Sequence, residues 1–264
     1  MKWNKIFLSI LIMGMVSACQ KEHSIPPQLT ADLSSAVLSD TNSISGNMES
    51  KGRPVRLNAD DFVSGINNLY FPLKPGTIFK YKQFFRDGND QGIENIQIEV
   101  TNNTKIIKGI ICEIIHDQVF EKGILIEDTY DWYAQDKWGN VWYMGEDTKK
   151  LVEGNWITTG SWEHGVNGAV AGIIMLGHPE QHIGELYPQE YLKDSAEDKA
   201  RVISCNSTAS IQFGTFTHCV VTEETTRLSP GVKEYKYYAP GIGNISTILN
   251  IGGLEHEELV GILR

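Results

Sequence analysis

An all-β fold is what this sequence predicts: an antiparallel β-sandwich or open barrel made from two similar halves, with one short helix. Three observations predict it. From about Phe62 onward, short β-branched and aromatic runs alternate with Gly, Asn and Asp turn signals. The second half of the chain repeats the texture of the first. Only Tyr191 to Val202 has a helical look, with Asp194 or Ser195 as its cap.

The elements follow in order. Pro75-Gly76 turns the chain into a strand over Thr77 to Phe85. Glu94 to Thr101 alternates polar and apolar residues, the period of a half-buried strand. Lys108-Gly109 leads into a strand over Ile110 to Phe120. Ile124 to Ala134 and Val141 to Met144 flank the turn Asp136-Lys137-Trp138-Gly139-Asn140. Gly165 to Gly177 is rich in Gly and Ala and reads as a long, buried connector. Strands are then expected over Arg201 to Ile211, Phe216 to Thr226 and Val232 to Tyr238, with a last pair around Gly252-Gly253.

The halves, about residues 71–145 and 180–250, match in detail. Asp131-Trp132-Tyr133-Ala134 followed by Gly139-Asn140-Val141 echoes Lys236-Tyr237-Tyr238-Ala239 followed by Gly243-Asn244-Ile245. Each half alone is a small sheet that cannot bury its apolar face, so the two are expected to join around one core.

The N-terminus carries a different signal. Lys2 and Lys5 precede an apolar run from Ile6 to Val16, and Val16-Ser17-Ala18-Cys19 closes it with small residues and a thiol. The run is too short to span a bilayer and has the length of a signal-peptide core. The pattern resembles the lipobox of bacterial lipoproteins. That resemblance implies a signal peptide over 1–18, cleavage before Cys19 and lipid on Cys19, so that the membrane is reached through the N-terminal lipid. Gln20, rather than Asp, after the Cys implies the outer membrane. Residues 19–61 are rich in Ser, Asn, Asp and Pro and read as a flexible tether. At roughly 5–6 Å times the square root of its length, it would hold the 62–264 domain ~35 Å from its lipid.

Composition excludes some functions. The chain has a net charge of −10, which becomes −12 once the signal segment and its two lysines are gone. It has no basic block, which argues against nucleic acid and against a polybasic grip on lipid. A hydrophobic content of 41% suits a packed domain. Beyond Cys19 there are three cysteines, an odd number for an exported protein. A Cys112–Cys219 disulfide between matching strands is the favoured pairing. Cys205 with Cys219 falls out of register across its hairpin, and free buried thiols are the alternative.

Trp132-Tyr133-Ala134-Gln135-Asp136 through Gly139-Asn140-Val141-Trp142-Tyr143, the string Tyr237-Tyr238-Ala239-Pro240-Gly241-Ile242-Gly243, and Gly214-Thr215-Phe216 resemble a group of uncharacterised bacterial secreted proteins and lipoproteins. The similarity runs from about Phe71 to the C-terminus. It implies no activity and no catalytic residue.

No catalytic set assembles. Asp136 to Asn140 has a calcium-loop look, but Trp138 occupies a ligand position, and a hairpin turn explains the residues better. Glu163, His164, His178 and His182 are the densest metal-capable group, yet Gly177 and Pro179 break the helix that would align them, so no metal is expected. No Gly-x-Ser-x-Gly elbow is present. Glu127, Asp128, Asp131, Glu146 and Asp147 flank an aromatic hairpin. Alternation puts Tyr130 and Trp132 on one side and Thr129, Asp131 and Tyr133 on the other, with the acids solvated and the aromatics packed. The expected function is a non-enzymatic, lipid-anchored envelope protein that needs no cofactor and binds an apolar ligand or a protein partner. A hydrolase of envelope glycan or lipid is one alternative, using the acidic hairpin or the Glu163/His164/His178/His182 group. A purely structural role is another.

Overall fold

The structure, a computed structural model, describes residues 57–87, 90–251 and 253–264. Cys19, the signal segment and all of the tether before Leu57 lie outside the described residues. Sixteen strands are described. The first half holds β1 (Phe62–Val63), β2 (Ile78–Asp87), β3 (Asp90–Ile107), β4 (Ile110–Glu121), β5 (Ile124–Asp136) and β6 (Val141–Val152). Four short strands follow: β7 (Asn155–Thr158), β8 (Trp162–Glu163), β9 (Val170–Met175) and β10 (Leu186–Pro188). The rest are β11 (Glu190–Tyr191), β12 (Asp198–Ile211), β13 (Gly214–Thr226), β14 (Lys233–Ala239), β15 (Gly243–Ile251) and β16 (Gly253–Leu263).

All pair antiparallel in one sheet that rolls into a nearly closed barrel. Its order is β10-β12-β13-β14-β15-β16-β2-β3-β4-β5-β6-β9-β11. Two runs share one pattern: β2 through β6, and β10 followed by β12 through β15, each a strand followed by two hairpins. The ring is closed by one continuous segment. Leu186–Pro188 pairs with β12, and two residues later Glu190–Tyr191 pairs with β9. Gly172 on β9 lets this seam form, because a Cβ there would lie within 2.5 Å of the Gln189 carbonyl carbon.

The expected helix over 191–202 is not formed. Asp194 takes a left-handed turn conformation (φ 60°), Leu192 and Ala196 close a tight turn, and β12 begins at Asp198. The residues read as a helix cap make a turn instead. Beyond it, Asp198, Ala200 and Val202 are buried while Lys199 and Arg201 are exposed, a period of two. The 165–177 connector contains a strand, β9, whose Ala171, Ile173 and Met175 are buried. The only helical turns among the described residues are 3-10 turns at Ala59–Asp61 and Pro179–Gln181. Leu57 and Ala59 already pack against the core, five residues before the expected domain start.

Candidate functional site

The barrel interior changes character along its length, and register shows how. Phe79, Ile98, Val100 and Ile115 share one face at one end, with Tyr238, Val220, Val202 and Leu259 completing the wall. A loop from Ile66 to Leu73 crosses this end and plugs it. Phe71 of the loop touches both Tyr133 of β5 and Tyr238 of β14, with ring centroids 5.3 and 6.3 Å apart.

The residues that hold this plug are those of the two sequence strings. The Asn68 side-chain amide donates to the carbonyls of Gly139 (2.8 Å) and Leu176 (3.0 Å), and its Oδ1 accepts from the Tyr70 and Phe71 amides. Gln135 Oε1 accepts from the Asn67 and Asn68 amides. The Gly241 amide donates to the Leu69 carbonyl at 2.7 Å. Asp136 is buried, and both its oxygens are spent on its own turn. Oδ1 accepts from the Trp138 and Asn140 amides, and Oδ2 from Asn140 Nδ2 and Trp142 Nε1, all at 2.8–2.9 Å. This loop is a hairpin turn that receives a plug.

Beyond the plug the interior becomes acidic. One row joins Ile115, Asp131 and Glu146; the next joins Asp117, Thr129 and Thr148; the next joins Val119, Glu127 and Lys150. On the other wall, Thr222 pairs with Lys236, Glu224 with Glu234, and Thr247 with both Lys236 and Glu257. These walls face each other. Lys236 on β14 influences Tyr133 on β5, six strands away along the sheet, and Glu257 on β16 influences Asp117 on β4. Glu234, Glu257, Thr247, Gln83 and Leu249 line a cavity of about 30 Å³, room for about one water.

Burial is the first cause of raised pKa values here, and carboxylate repulsion adds to it. Asp117 is raised well above the usual range by burial and then by Asp131 and Glu127. Glu257 is pushed up to about 7 by burial and then by Glu234. Asp131, Glu146, Asp198 and Glu190 are raised for the same reasons. Lys236 sits 2.8 Å from Glu224 and 3.3 Å from Glu234. Burial opposes its charge, but the two carboxylates prevail and hold it protonated.

Asp131 and Glu146 both contact the Tyr143 hydroxyl. The Tyr143 hydroxyl lies 2.6 Å from Asp131 Oδ1 and 3.1 Å from Glu146 Oε2. A phenol has one proton to donate, so it serves one carboxyl fully at a time, and the second contact becomes a full hydrogen bond when that carboxyl carries its own proton. Thr148 Oγ1 donates to the same Glu146 oxygen at 3.0 Å. The arrangement can hold and pass a proton at a half-buried site.

Several expectations need correction. The parity of the aromatic hairpin is as expected, but its acids are not all solvated. Glu127 and Asp131 point inward with Thr129, while Tyr130 is exposed and stacks on His116 with centroids 4.3 Å apart. Cys112, Cys205 and Cys219 are all free thiols, so the Cys112–Cys219 bridge is not made. Those two lie on β4 and β13, six strands apart in the sheet, and each thiol faces a backbone carbonyl of its own neighbourhood, Ile110 or Phe216. Burial pushes the Cys112 thiol up to about 12. Glu163, His164, His178 and His182 do not converge. Glu163 pairs with Lys105 at 2.7 Å, and His164 Nδ1 accepts from the Ala171 amide. His178 and His182 pair with Glu180 and Glu185. No group of three metal-capable side chains occurs among the described residues.

Sequence reading missed Glu190, Asp198, Glu224, Glu234, Lys236 and Glu257. Their signal was present as alternation, in Thr222/Glu224 and Glu234/Lys236/Tyr238, but charge at alternate strand positions ordinarily marks the wet face.

No family model matches the chain, and no curated protein matches it. Two solved structures are similar in part. One is a "putative lipoprotein" from Parabacteroides distasonis, with 10% identity, TM-score 0.41, 74% of this chain covered and 99% of the other. The second is a "putative exported protein with YmcC-like fold" from Bacteroides fragilis, with 13% identity, TM-score 0.40, 75% of this chain covered and 100% of the other. Likeness at that level transfers no function.

Proposed function

We propose that this chain is a lipid-tethered protein of the bacterial cell envelope, anchored through Cys19 in the outer membrane, whose β domain binds a protein partner and is not an enzyme. The Val16-Ser17-Ala18-Cys19 pattern supports the anchor. The partner reading rests on where β7 lies. Leu57 enters at the plugged end, where Lys137 bonds to Asp61 through backbone and side chain. β6 runs twelve residues away from that end, and β7 begins at the far one. Among the described residues β7 pairs with β6 alone, and all four of its residues are exposed. It presents Trp156 and Ile157, 46% and 44% exposed, with Ile124 at the same end. An edge strand carrying large apolar side chains is a surface on which a partner can add a strand. An apolar ligand fits less well, because Phe71 fills one part of the interior and carboxyls line the rest.

The test has two arms. Cys19→Ala should move the protein from the membrane fraction to the soluble one. A photo-crosslinker at position 156 in intact cells should yield one discrete adduct that Ile157→Ser removes. A crosslink pattern indifferent to Ile157→Ser would reject the β7 surface. The Asp131–Tyr143–Glu146 contact supports a second reading, a hydrolase of envelope glycan. It predicts turnover of glycan fragments that Asp131→Asn abolishes, and absence of turnover would reject it.

A further inference from the structure

The seam segment Leu186–Tyr191 is one of the thin junctions of the barrel. It joins the two ends of the sheet by three pairs to β12 and two to β9, whereas β2 and β3 share ten. Buried polar atoms without partners gather on it. The Tyr187 hydroxyl and both side-chain amide atoms of Gln189 have no partner in the protein, although these residues are only 5% and 2% exposed. Asp198 Oδ1, across the seam on β12, is also without a partner. Each such group opposes the shut seam, and water would satisfy it once the seam parts.

Carboxyls gather at the same junction. Glu190 sits on the segment itself, Asp198 on the β12 lip, and Glu146 on β6, the strand behind the β9 lip. Burial keeps Glu190 toward its neutral form, and Asp198 and then Glu146 add repulsion; the Trp162 indole and Lys236 oppose them. Behind Asp198 stand Glu224, Lys236 and Glu234, and behind Glu146 stand Asp131, Tyr143 and Glu127. Outside, Lys193, Lys199 and the Arg227–Glu197–Asp194 ion pairs line a surface recess that reaches Glu190.

We propose that Leu186–Tyr191 is a pH-controlled latch: it is shut while Glu190, Asp198 and Glu146 keep their protons, and their ionisation parts the barrel along this seam. A carboxyl that holds its proton only in the shut form favours that form at low pH. The shut form therefore loses ground as pH rises from about 5 to about 9, by up to tenfold per pH unit for each proton released.

Hydrogen exchange on the full chain in detergent tests this, with each rate divided by its intrinsic rate at the same pH. Between pH 6 and pH 8.5, protection of amides 184–191 should fall at least tenfold, including the Gln189 amide that donates to the Asp198 carbonyl. Amides of β3 and β4 should fall by no more than the drop in global stability that denaturation measures over the same interval. Glu190→Gln should remove most of the pH dependence at the seam, with Asp198→Asn as the second variant. Unchanged seam protection in the wild-type protein would overturn the latch. So would an equal fall in every strand, since that reports global unfolding.

Discussion

At the plugged end of the barrel, buried polar groups are paid in full; at the seam they are not. Asp136 accepts four hydrogen bonds, and Asn68 uses both ends of its amide. Gln189, buried as deeply, has neither end of its amide bonded. Both places close the same barrel. The difference teaches where it should be rigid and where it should yield, because local opening follows the junctions with fewest satisfied bonds.

The largest effect should come from breaking the rigid end. Asp136→Ala strands the Trp138 and Asn140 amides and the Trp142 indole N–H, and takes the acceptor from Asn140 Nδ2, while Asn140 Oδ1 keeps the Gly177 amide. Thermal unfolding should show a loss of about 4 kcal/mol, in the range expected when a buried network is broken. Asp136→Asn keeps shape and part of the bonding, and should lose about half as much. If Asp136→Ala cost less than a surface substitution, the plug would not be a rigid unit.

Gly172→Ala attacks the seam sterically. Its Cβ would collide with the backbone of Pro188 and Gln189, neither of which can move without breaking the pairing to β9 or β12. Overpacking of this kind costs about 2 kcal/mol. The loss should appear as faster proteolysis near residues 186–191, with the plug unaffected. A uniform rise in cleavage would mean that the two closures are not independent.

Glu146→Gln probes the raised carboxyl beside Tyr143. Because the fold raises the pKa of Glu146 and Asp131, it binds protons that the unfolded chain releases between about pH 4 and the folded value. Wild-type stability should therefore decline as pH rises from about 5 to 9. Glu146→Gln should flatten that slope and be the more stable of the two at pH 9, by on the order of 1–2 kcal/mol. The measurement is chemical denaturation at a series of pH values. Parallel slopes for the two proteins would remove the raised Glu146 carboxyl from the account.

These contrasts also explain what the sequence could and could not reveal. Turn chemistry is local, so Asp136 to Asn140 was legible as a hairpin from five residues, and β-branched runs with period two made the strands legible. The acidic interior was not, because parity says that Thr129 and Asp131 share a face but not which face is wet. That is decided by curvature, a property of the whole ring. The Tyr191–Val202 region misled for a related reason. Asp194 and Ser195 suit a helix cap and a turn equally well, and pairing of β12 with β13 settles the choice from thirty residues away. The seam joins residues 186–191 to strands on both sides, a contact no local pattern encodes.

The smallest expected effect sharpens the comparison from the plugged side. Lys137 Nζ lies 2.7 Å from Asp61 Oδ1 and near the Trp138 ring, but it is half exposed, and its backbone amide also bonds to the Asp61 carbonyl. Lys137→Ala keeps the backbone bond and removes only the solvent-facing pair, so it should cost less than about 1 kcal/mol and fade with added salt. Salt titration of the unfolding midpoint for both proteins checks this. A larger, salt-insensitive loss would mean that the plug is held from its outer surface, and that the bonds of Asn68, Gln135 and Asp136 are not what makes this end rigid.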